Sequence, residues 1–192
     1  MKRPLDTCRY GAFGAGYTGL RFGEVTGLTV DNLNLLHRQL RVVNQLTEVK
    51  GELTLSPILK TKSSRRTIKL PAFLVDELAF HIKRFPSASV FSSAEGRPPR
   101  RSNFYRRVWR PPAPHGVRFH DHRHSHAAML IANGQHPKVI QERLGHTSIK
   151  TTLDVYGHLY DGLDEAAADA LDDVWQRSRV DKMWTGTGGA AS

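Results

Sequence analysis

Six side chains in this sequence are of the types that chemistry at a phosphate group requires. They are Arg21, Lys60, His120, Arg123, His146 and Tyr156. A guanidinium group matches two phosphate oxygens and keeps its charge at any working pH. Each well-placed donor of this kind contributes ~10²–10³ in rate. A tyrosine hydroxyl has a pKa of about 10, so Tyr156 needs neighbouring positive charge to attack at neutral pH. The set therefore suits attack on a phosphodiester without a metal ion.

Each of these residues also has an ordinary structural explanation when it is considered alone. Arg21 has a carboxylate three positions on, Glu24, at a spacing that forms ion pairs on a helix. Tyr156 precedes Gly157, and a tyrosine packed at a helix end would be the first interpretation of it in isolation. The same glycine favours Tyr156 over Tyr160 as a nucleophile, because the backbone can change direction there. The order and separation of the six residues favour the functional interpretation.

The segments that contain these residues resemble the tyrosine recombinases, the phage-type integrases. TGLRFGEVTGL is similar to the first arginine box of that family, which makes Arg21 the catalytic arginine and Glu24 its supporting carboxylate. LKTKSSRRTIKL resembles the β-hairpin that presents the catalytic lysine, with Lys60 as the best match and Lys62 as the second. The resemblance extends over residues 17–160, which is most of the chain.

Two further segments complete the resemblance. RFHDHRHSHAAMLIANG is similar to the second box, a His-x-x-Arg motif that puts His120 and Arg123 at the start of a helix. RLGHTSIKTTLDVYGHL resembles the closing segment, with His146 after Leu-Gly and the nucleophile Tyr156 ten residues later. His124, next to the second arginine, is expected to assist by hydrogen bonding within the site.

The resemblance implies site-specific cleavage and rejoining of DNA through a 3′-phosphotyrosyl intermediate. His120 would take the proton of Tyr156 or hold the phosphate, and Lys60 would protonate the departing 5′-oxygen. The intermediate keeps the energy of the broken bond, so neither ATP nor another cofactor is expected, and no acidic cluster suggests a two-metal nuclease. The expected partners are double-stranded DNA with attachment-type sites and, on that DNA, further copies of the chain in a homotetramer formed through the C-terminal helix.

The charge of the chain is distributed unevenly. The formal net charge is +10, and residues 1–110 contain 20 Lys and Arg against 8 Asp and Glu, whereas residues 111–192 contain 8 against 10. Excess positive charge favours a polyanionic partner, although a solvated basic surface would explain it equally well. The residues that we expect to contact DNA are Lys62, Arg65, Arg66, Arg100, Arg101, Arg106 and Arg107.

The hydrophobic pattern and the turn residues predict short strands among several helices. The resemblance implies the same architecture, a mostly helical α+β domain with a small three-stranded antiparallel sheet. A helix is predicted to begin near Arg21 or Phe22. The predicted strands are Gln39–Leu46, Glu52–Leu59 and Arg66–Leu70. The other predicted helices are Phe73–Phe85, Asn103–Trp109, Asp121–Ala132, Pro137–Arg143 and Ser148–Tyr156.

We predict three regions along the chain. Residues 1–160 form the catalytic domain, residues 161–182 form an acidic helix that docks on its own domain or on a neighbouring copy, and residues 183–192 form a disordered tail. We expect no DNA-clamping domain before the first arginine box, so a truncated, non-recombining DNA-binding remnant is the alternative to an active recombinase. Because no long apolar run or signal-peptide core occurs, a cytoplasmic, nucleoid-associated protein is expected.

A third hypothesis is a zinc-dependent hydrolase. His122 and His126 are four positions apart on one predicted helix, and together with His120 they could approach a zinc ion. No carboxylate or cysteine is placed to complete such a site, so packed or surface histidines are the favoured interpretation and no metal is expected. His122 also departs from the family pattern, in which this position is usually apolar.

Overall fold

The computed structural model describes residues 11, 14–57, 65–93, 97–111, 113, 116–160 and 163–185. The chain forms two compact units, Met1–Tyr156 and Gly157–Ser192. Within the described ranges, every helix is too short or too polar to cross a lipid bilayer.

Helices form the larger share of the regular structure in the described part of the first unit. The α-helices are α1 (Phe22–Thr26), α2 (Ala72–Arg84), α3 (Arg101–Phe104), α4 (Asp121–Ala132), α5 (Pro137–Leu144) and α6 (Ile149–Tyr156). A 3₁₀ turn covers Val30–Asn32, and α3 continues as a π-helix over Tyr105–Trp109. All six predicted helices in this unit are confirmed, with small shifts at their ends.

Five short strands form two antiparallel sheets. They are β1 (Leu33–Asn34), β2 (Gln39–Val42), β3 (Asn44–Val49), β4 (Glu52–Pro57) and β5 (Arg66–Lys69). Strands β1, β2 and β5 form a three-stranded sheet in that order, and β3 and β4 form a separate hairpin. In the first sheet Leu40 pairs with Ile68, and both side chains are buried. This combination of helices and small sheets confirms the predicted α+β class.

The strands pair differently from the prediction. The predicted strand Gln39–Leu46 is interrupted at Val43, so its two halves belong to different sheets. Lys50 and Gly51 both have positive φ, 49° and 84°, which is the backbone of a type I′ hairpin turn. This turn folds β4 back on β3, and β5 pairs with β2 instead. Strand β1 was not predicted, and residues 58–59, the predicted end of the second strand, lie outside the described residues.

Helix α1 packs directly against the backbone of the β3–β4 hairpin. A Cβ atom on Gly27 would lie 2.7 Å from the backbone nitrogen of Leu46 and 2.9 Å from the Cα of Gln45. On Gly23 it would lie 2.8 Å from the carbonyl oxygen of Leu46. The two glycines of FGEVTG therefore let the hairpin approach the helix that follows Arg21.

The last three helices of the first unit, α4, α5 and α6, bury apolar side chains of their own. Their buried apolar side chains are Ala127, Ile131, Ile140, Leu144 and Tyr156. Helix α5 begins with Pro137 at its first turn, where the missing N–H costs nothing. It ends at Gly145, whose φ of 67° is left-handed and favours glycine. Gly145 thereby ends α5 and begins the turn that contains His146.

The described part of the second unit is helical. It contains a 3₁₀ turn over Gly157–Tyr160 and one long helix, α7 (Leu163–Thr185). The helix continues past residue 182, so the first three residues of the predicted disordered tail are helical, while residues 186–192 lie outside the described residues. Leu171, Val174 and Trp175 are exposed on α7.

The close approach of α1 and the hairpin predicts that Gly27→Ala destabilises the protein. Because the added methyl group would meet backbone atoms rather than a flexible side chain, the hairpin must shift, at a cost of about 1–3 kcal/mol. Gly157→Ala is the matched control, since no atom lies within 4 Å of the added Cβ there. Urea unfolding at neutral pH measures both. Equal unfolding midpoints for the two variants would show that the packing is not tight.

Candidate active site

Arg21 lies immediately before α1, where Glu24 holds it in place. The Glu24 carboxylate accepts hydrogen bonds from the backbone nitrogen of Arg21 at 2.8 Å and from its Nη1 at 3.0 Å. The Glu24 side chain is 3% exposed and that of Arg21 is 42% exposed. The arginine is therefore anchored at its base while its guanidinium group stays accessible.

The same carboxylate binds a second arginine from the sheet. Arg66 of β5 donates to the two oxygens of Glu24 at 3.0 and 2.9 Å, and its Nε donates to the carbonyl oxygen of Arg143 at 2.7 Å. Burial raises the pKa of Glu24, but the hydrogen bond and charge of Arg66, followed by those of Arg21, outweigh it and leave this pKa below its ordinary value. The expectation that Arg66 contacts DNA needs correction, because its side chain is 6% exposed and joins three elements of the protein.

Arg123 lies in the first turn of α4 and is 2% exposed. Its Nη1 donates to the carbonyl oxygen of Gly19 at 2.6 Å and its Nη2 to that of Leu144 at 2.5 Å. Burial, and then the charge of Arg21, lowers the pKa of Arg123 to about 9, so the group is charged at neutral pH. A buried positive charge is thus held by two neutral carbonyl groups, in the chain segments that lead to Arg21 and to His146.

His146 follows α5 and is oriented by α6. Its Nδ1 lies 2.9 Å from the hydroxyl oxygen of Thr152, which is fully buried, and its carbonyl oxygen accepts from Nε2 of Gln141 at 3.1 Å. Burial, and then the charge of Arg123, lowers the pKa of His146 to about 4. The imidazole is therefore neutral at neutral pH.

Tyr156 is the last residue of α6 and is 4% exposed. Its hydroxyl lies 3.0 Å from Nδ1 of His124, and the two rings are tilted with centroids 5.7 Å apart. Burial raises the pKa of Tyr156, and the charge of Arg123 opposes that effect in part. The phenol is protonated in this environment.

His120 borders an open cavity beside Arg21. The cavity has a volume of about 710 Å³, and its apolar wall includes Phe22, Tyr105 and Phe119. The ring of His120 lies edge-on to that of His124, one helical turn later, with centroids 5.1 Å apart. Burial, and then the charge of His124, lowers the pKa of His120.

The structure brings five of the six predicted catalytic residues into one neighbourhood. They are Arg21, His120, Arg123, His146 and Tyr156; the charge of Arg123 acts on His120, His146 and Tyr156, and the charge of Arg21 acts on Arg123. Glu24 and His124, predicted to support the site, contact Arg21 and Tyr156 respectively. Lys60 and Lys62 lie outside the described residues.

The remaining basic residues that were expected to contact DNA are exposed. Arg65, Arg106 and Arg107 all present accessible side chains. Arg101 lies over the ring of Tyr105, 5.5 Å from its centroid. Arg100 differs, because it binds the hairpin through the Glu48 carboxylate at 2.8 Å and the carbonyl oxygen of Gly51 at 2.6 Å. Besides Arg100, four described arginines of this set are exposed, namely Arg65, Arg101, Arg106 and Arg107.

The histidines of the zinc hypothesis do not converge. His122 packs edge-on against Trp109 at 5.0 Å and Phe119 at 5.9 Å, so it occupies its usually apolar position as an aromatic ring. His126 is buried, and Nε of Arg143 lies 3.4 Å from its Nε2. Across the described ranges, no group of three or more His, Cys, Asp or Glu side chains could hold a metal ion.

Two contacts that organise the site were not predicted from the sequence. Thr152 orients His146, and Arg143 joins α5 to the carbonyl oxygens of Lys69 and Tyr17 at 3.2 and 3.4 Å. A polar residue that is fully buried in a helix usually has a hydrogen-bonding partner to hold. The local sequence TSIKTTLDVY does not show that Thr152 is buried, so its contact with His146 was not predicted.

Comparison with known sequences agrees with the site. Residues 15–162 match the sequence profile of the Phage integrase family. The chain is 33% identical to the ICEBs1 integrase of Bacillus subtilis (strain 168), over 82% of this chain and 46% of that protein. It is 29% identical to a XerC-like tyrosine recombinase of Caldanaerobacter subterraneus subsp. tengcongensis, over 85% of this chain and 48% of that protein. The chain thus spans about half the length of the curated relatives it matches.

Solved structures show the same fold. The Tn1549 transposon integrase in complex with circular intermediate DNA superimposes with a TM-score of 0.69 at 23% identity, covering 85% of this chain and 58% of that chain. The catalytic domain of bacteriophage HP1 integrase gives 0.54 at 23% identity, covering 87% and 88%. The fold is that of a tyrosine recombinase catalytic domain. The profile match, together with this fold, shows that the chain belongs to the phage integrase family.

The buried Glu24–Arg66 pair predicts a specific pH dependence of stability. Glu24→Gln leaves Arg66 buried without its counter-charge and should destabilise the protein at pH 7 by roughly 3–5 kcal/mol. The folded pKa of Glu24 is below its unfolded value of about 4.3. Its contribution is therefore complete above the unfolded value and is lost as the pH falls through the folded one. Urea unfolding of both proteins should show their difference shrinking on acidification.

Asp154→Asn is the control for this measurement. Asp154 pairs with Lys150 at 3.2 Å on the surface, where such pairs contribute less than about 1 kcal/mol. A Glu24→Gln protein with wild-type stability at pH 7 would mean that the carboxylate does not hold the site together.

Proposed function

We propose that this chain breaks and rejoins DNA strands at specific sites through a covalent bond between Tyr156 and a 3′-phosphate. The observation that carries the proposal is the buried charge of Arg123, which acts on the Tyr156 hydroxyl and lies among Arg21, His120 and His146. Family membership supports this activity. Because the chain matches about half of its curated relatives, the complete recombination reaction is part of the proposal.

The charges around the site favour a phosphate. One carboxylate, Glu24, lies among the guanidinium groups of Arg21, Arg66 and Arg123, so positive charge is in excess. Arginine forks match phosphate oxygens bidentately. An anion held between Arg21 and Arg123 would offset the cost of burying the charge of Arg123. This offset increases in the transition state, when the phosphate becomes more negative.

The reaction follows from these positions. The Tyr156 oxygen forms a bond to phosphorus after losing its proton, and the bond from phosphorus to the 5′-oxygen breaks with its electron pair on that oxygen. The 5′-oxygen takes a proton from Lys60, the candidate from the sequence, or from water. Arg21, Arg123 and His146 hold the phosphate. Rejoining is the same sequence in reverse, and it needs neither a metal ion nor ATP.

Double-stranded DNA is the proposed partner of the exposed basic surface. The four exposed arginines, Arg65, Arg101, Arg106 and Arg107, supply charge for contacts with the phosphate backbone. Relatives of this fold support the assignment, since the Tn1549 integrase structures contain transposon DNA and XerH is bound to a difH substrate. Such a protein would act at the nucleoid in the cytoplasm.

Assembly on DNA completes the proposal. Exchange of strands between two attachment-type sites requires four cleavages, so we include a homotetramer. Helix α7 is suited to protein contacts, since Leu171, Val174 and Trp175 are 70, 62 and 61% exposed. Exposed apolar groups of this kind mark interaction surfaces in folded proteins.

Replacement of the proposed nucleophile provides the direct test. The wild-type protein, incubated with nicked DNA that traps the cleaved state, should form a covalent adduct visible on a denaturing gel. Tyr156→Phe should form none, because the attacking oxygen is absent, whereas Tyr160→Phe should form the adduct. Adduct formation by Tyr156→Phe would refute the nucleophile, and its absence in the wild type at low salt would favour a non-recombining DNA-binding remnant.

The exposed arginines predict the salt dependence of DNA binding. Arg106→Ala and Arg107→Ala should each weaken binding to any DNA sequence and reduce the slope of log K against log salt by about 1, because one phosphate contact is lost. Fluorescence anisotropy over a range of salt concentrations measures this slope. Arg177→Ala, at an exposed position of α7 beside Asp173, is the control of equal charge change. An equal change in all three variants would mean that net charge alone is sensed.

A further inference from the structure

We propose that His124 accepts the proton of the Tyr156 hydroxyl as that oxygen attacks the phosphate. The inference rests on the proposed function and adds a proton acceptor to it. The sequence resemblance suggested His120 for this step, whereas the structure places a different imidazole at the hydroxyl.

The geometry carries the assignment. Nδ1 of His124 lies 3.0 Å from the Tyr156 oxygen, within the range for transfer of a proton to a general base. For the phenol to donate, Nδ1 of His124 must be the unprotonated nitrogen of the ring, and this is the tautomer that the proposal requires. Tyr156 is 4% exposed, which keeps bulk water from serving as the acceptor. A proton acceptor is therefore already hydrogen-bonded to the nucleophile before DNA arrives.

The other two histidines of the site have different neighbours. His146 directs Nδ1 to Thr152 at 2.9 Å, which fixes its ring relative to α6. His120 borders the cavity beside Arg21. Among the described residues, the imidazole recorded within hydrogen-bond distance of the Tyr156 hydroxyl is that of His124.

The surroundings of His124 bear on the charge that it gains. The described groups that interact with it include His120 at the N-cap of its helix, Asp121 in the first turn, His146 of the turn before α6 and Tyr156 of α6. The nearby negative charge is that of Asp121, which is itself held by Arg118 at 2.7 and 3.1 Å. Asp121 and an arriving phosphate therefore both place negative charge near His124.

The step balances in atoms and charge. The hydroxyl proton moves to Nδ1 of His124, the tyrosyl oxygen bonds to phosphorus, and the 5′-oxygen leaves with its electron pair and takes a proton from Lys60 or water. The imidazolium formed at His124 keeps its proton until rejoining. It then returns that proton to Tyr156 as the bond between phosphorus and the tyrosyl oxygen breaks.

The test uses His124→Asn, which places a hydrogen-bonding atom near the position of Nδ1 but cannot take up a proton. Adduct formation in a single turnover on nicked DNA is measured from acidic to alkaline pH. We expect a rate loss of ~10²–10⁴ near neutral pH, which is the usual contribution of a general base. The loss should shrink as the pH rises and the phenol ionises without help. His136→Asn, at an exposed helix cap, should leave the rate unchanged.

Two chemical substitutions separate proton acceptance from a positional role. A fluorinated tyrosine at position 156 has a more acidic hydroxyl and should restore part of the rate of His124→Asn. DNA with sulfur in place of the scissile 5′-oxygen has a leaving group that needs no protonation, so it should not restore that rate. Rescue by the sulfur substrate instead would assign His124 to the leaving group and overturn the proposal.

The outcomes also separate this inference from the proposed function. If the wild type forms no adduct, the proposed function itself is wrong. If the wild type forms the adduct and His124→Asn keeps its rate, or loses the same factor at every pH, only the role of His124 is wrong. Circular dichroism and DNA affinity of His124→Asn show whether the variant is folded, and the fluorinated tyrosine in the wild-type background tests the same step without changing His124.

Discussion

The buried carboxylate of Glu24 is the interaction on which the arrangement of this site depends. It binds Arg21 in its own chain segment and Arg66 from the sheet, and Arg66 in turn binds the carbonyl oxygen of Arg143 at the end of α5. A single negative charge thus fixes three elements relative to one another. Arg123 repeats the connection from the helix side, because its two carbonyl partners belong to the segments before Arg21 and before His146.

Among the described residues, the same arrangement places the guanidinium groups of Arg21, Arg66 and Arg123 around the carboxylate of Glu24. Without an anion, the buried environment keeps His146 neutral and the Tyr156 hydroxyl protonated, while Arg123 stays charged. A phosphate would supply the missing negative charge and would make ionisation of the phenol harder through repulsion. When a phosphate binds, a group that accepts the proton of the Tyr156 hydroxyl is therefore needed more. The arginines alone do not provide such a group.

The sequence predicted the helices well and the contacts between them less well. Capping residues and apolar spacing act within one helix, which is why Asp121–Ala132 was predicted with its observed bounds. Arg21, Arg123 and Tyr156 stand in recognisable segments and were predicted from them. The burial of Arg66 against Glu24 depends on chain segments 42 residues apart, and the contact of His124 with Tyr156 on segments 32 apart. Strand pairing was predicted wrongly for a different, local reason, because a tight turn at Lys50 and Gly51 folds β4 back on β3.

A tyrosine that attacks DNA has to move, whereas the arginines that hold the phosphate must not. The structure separates these demands along the chain. Arg123 is fixed from two sides by backbone carbonyls, and Arg21 is anchored through both its backbone and its side chain. Tyr156 is the last residue of both its helix and its compact unit. Its hydroxyl is held by one side-chain contact, and that contact is with a group able to take its proton. In the proposed reaction, the group that holds the tyrosine hydroxyl is therefore also the one that would accept its proton.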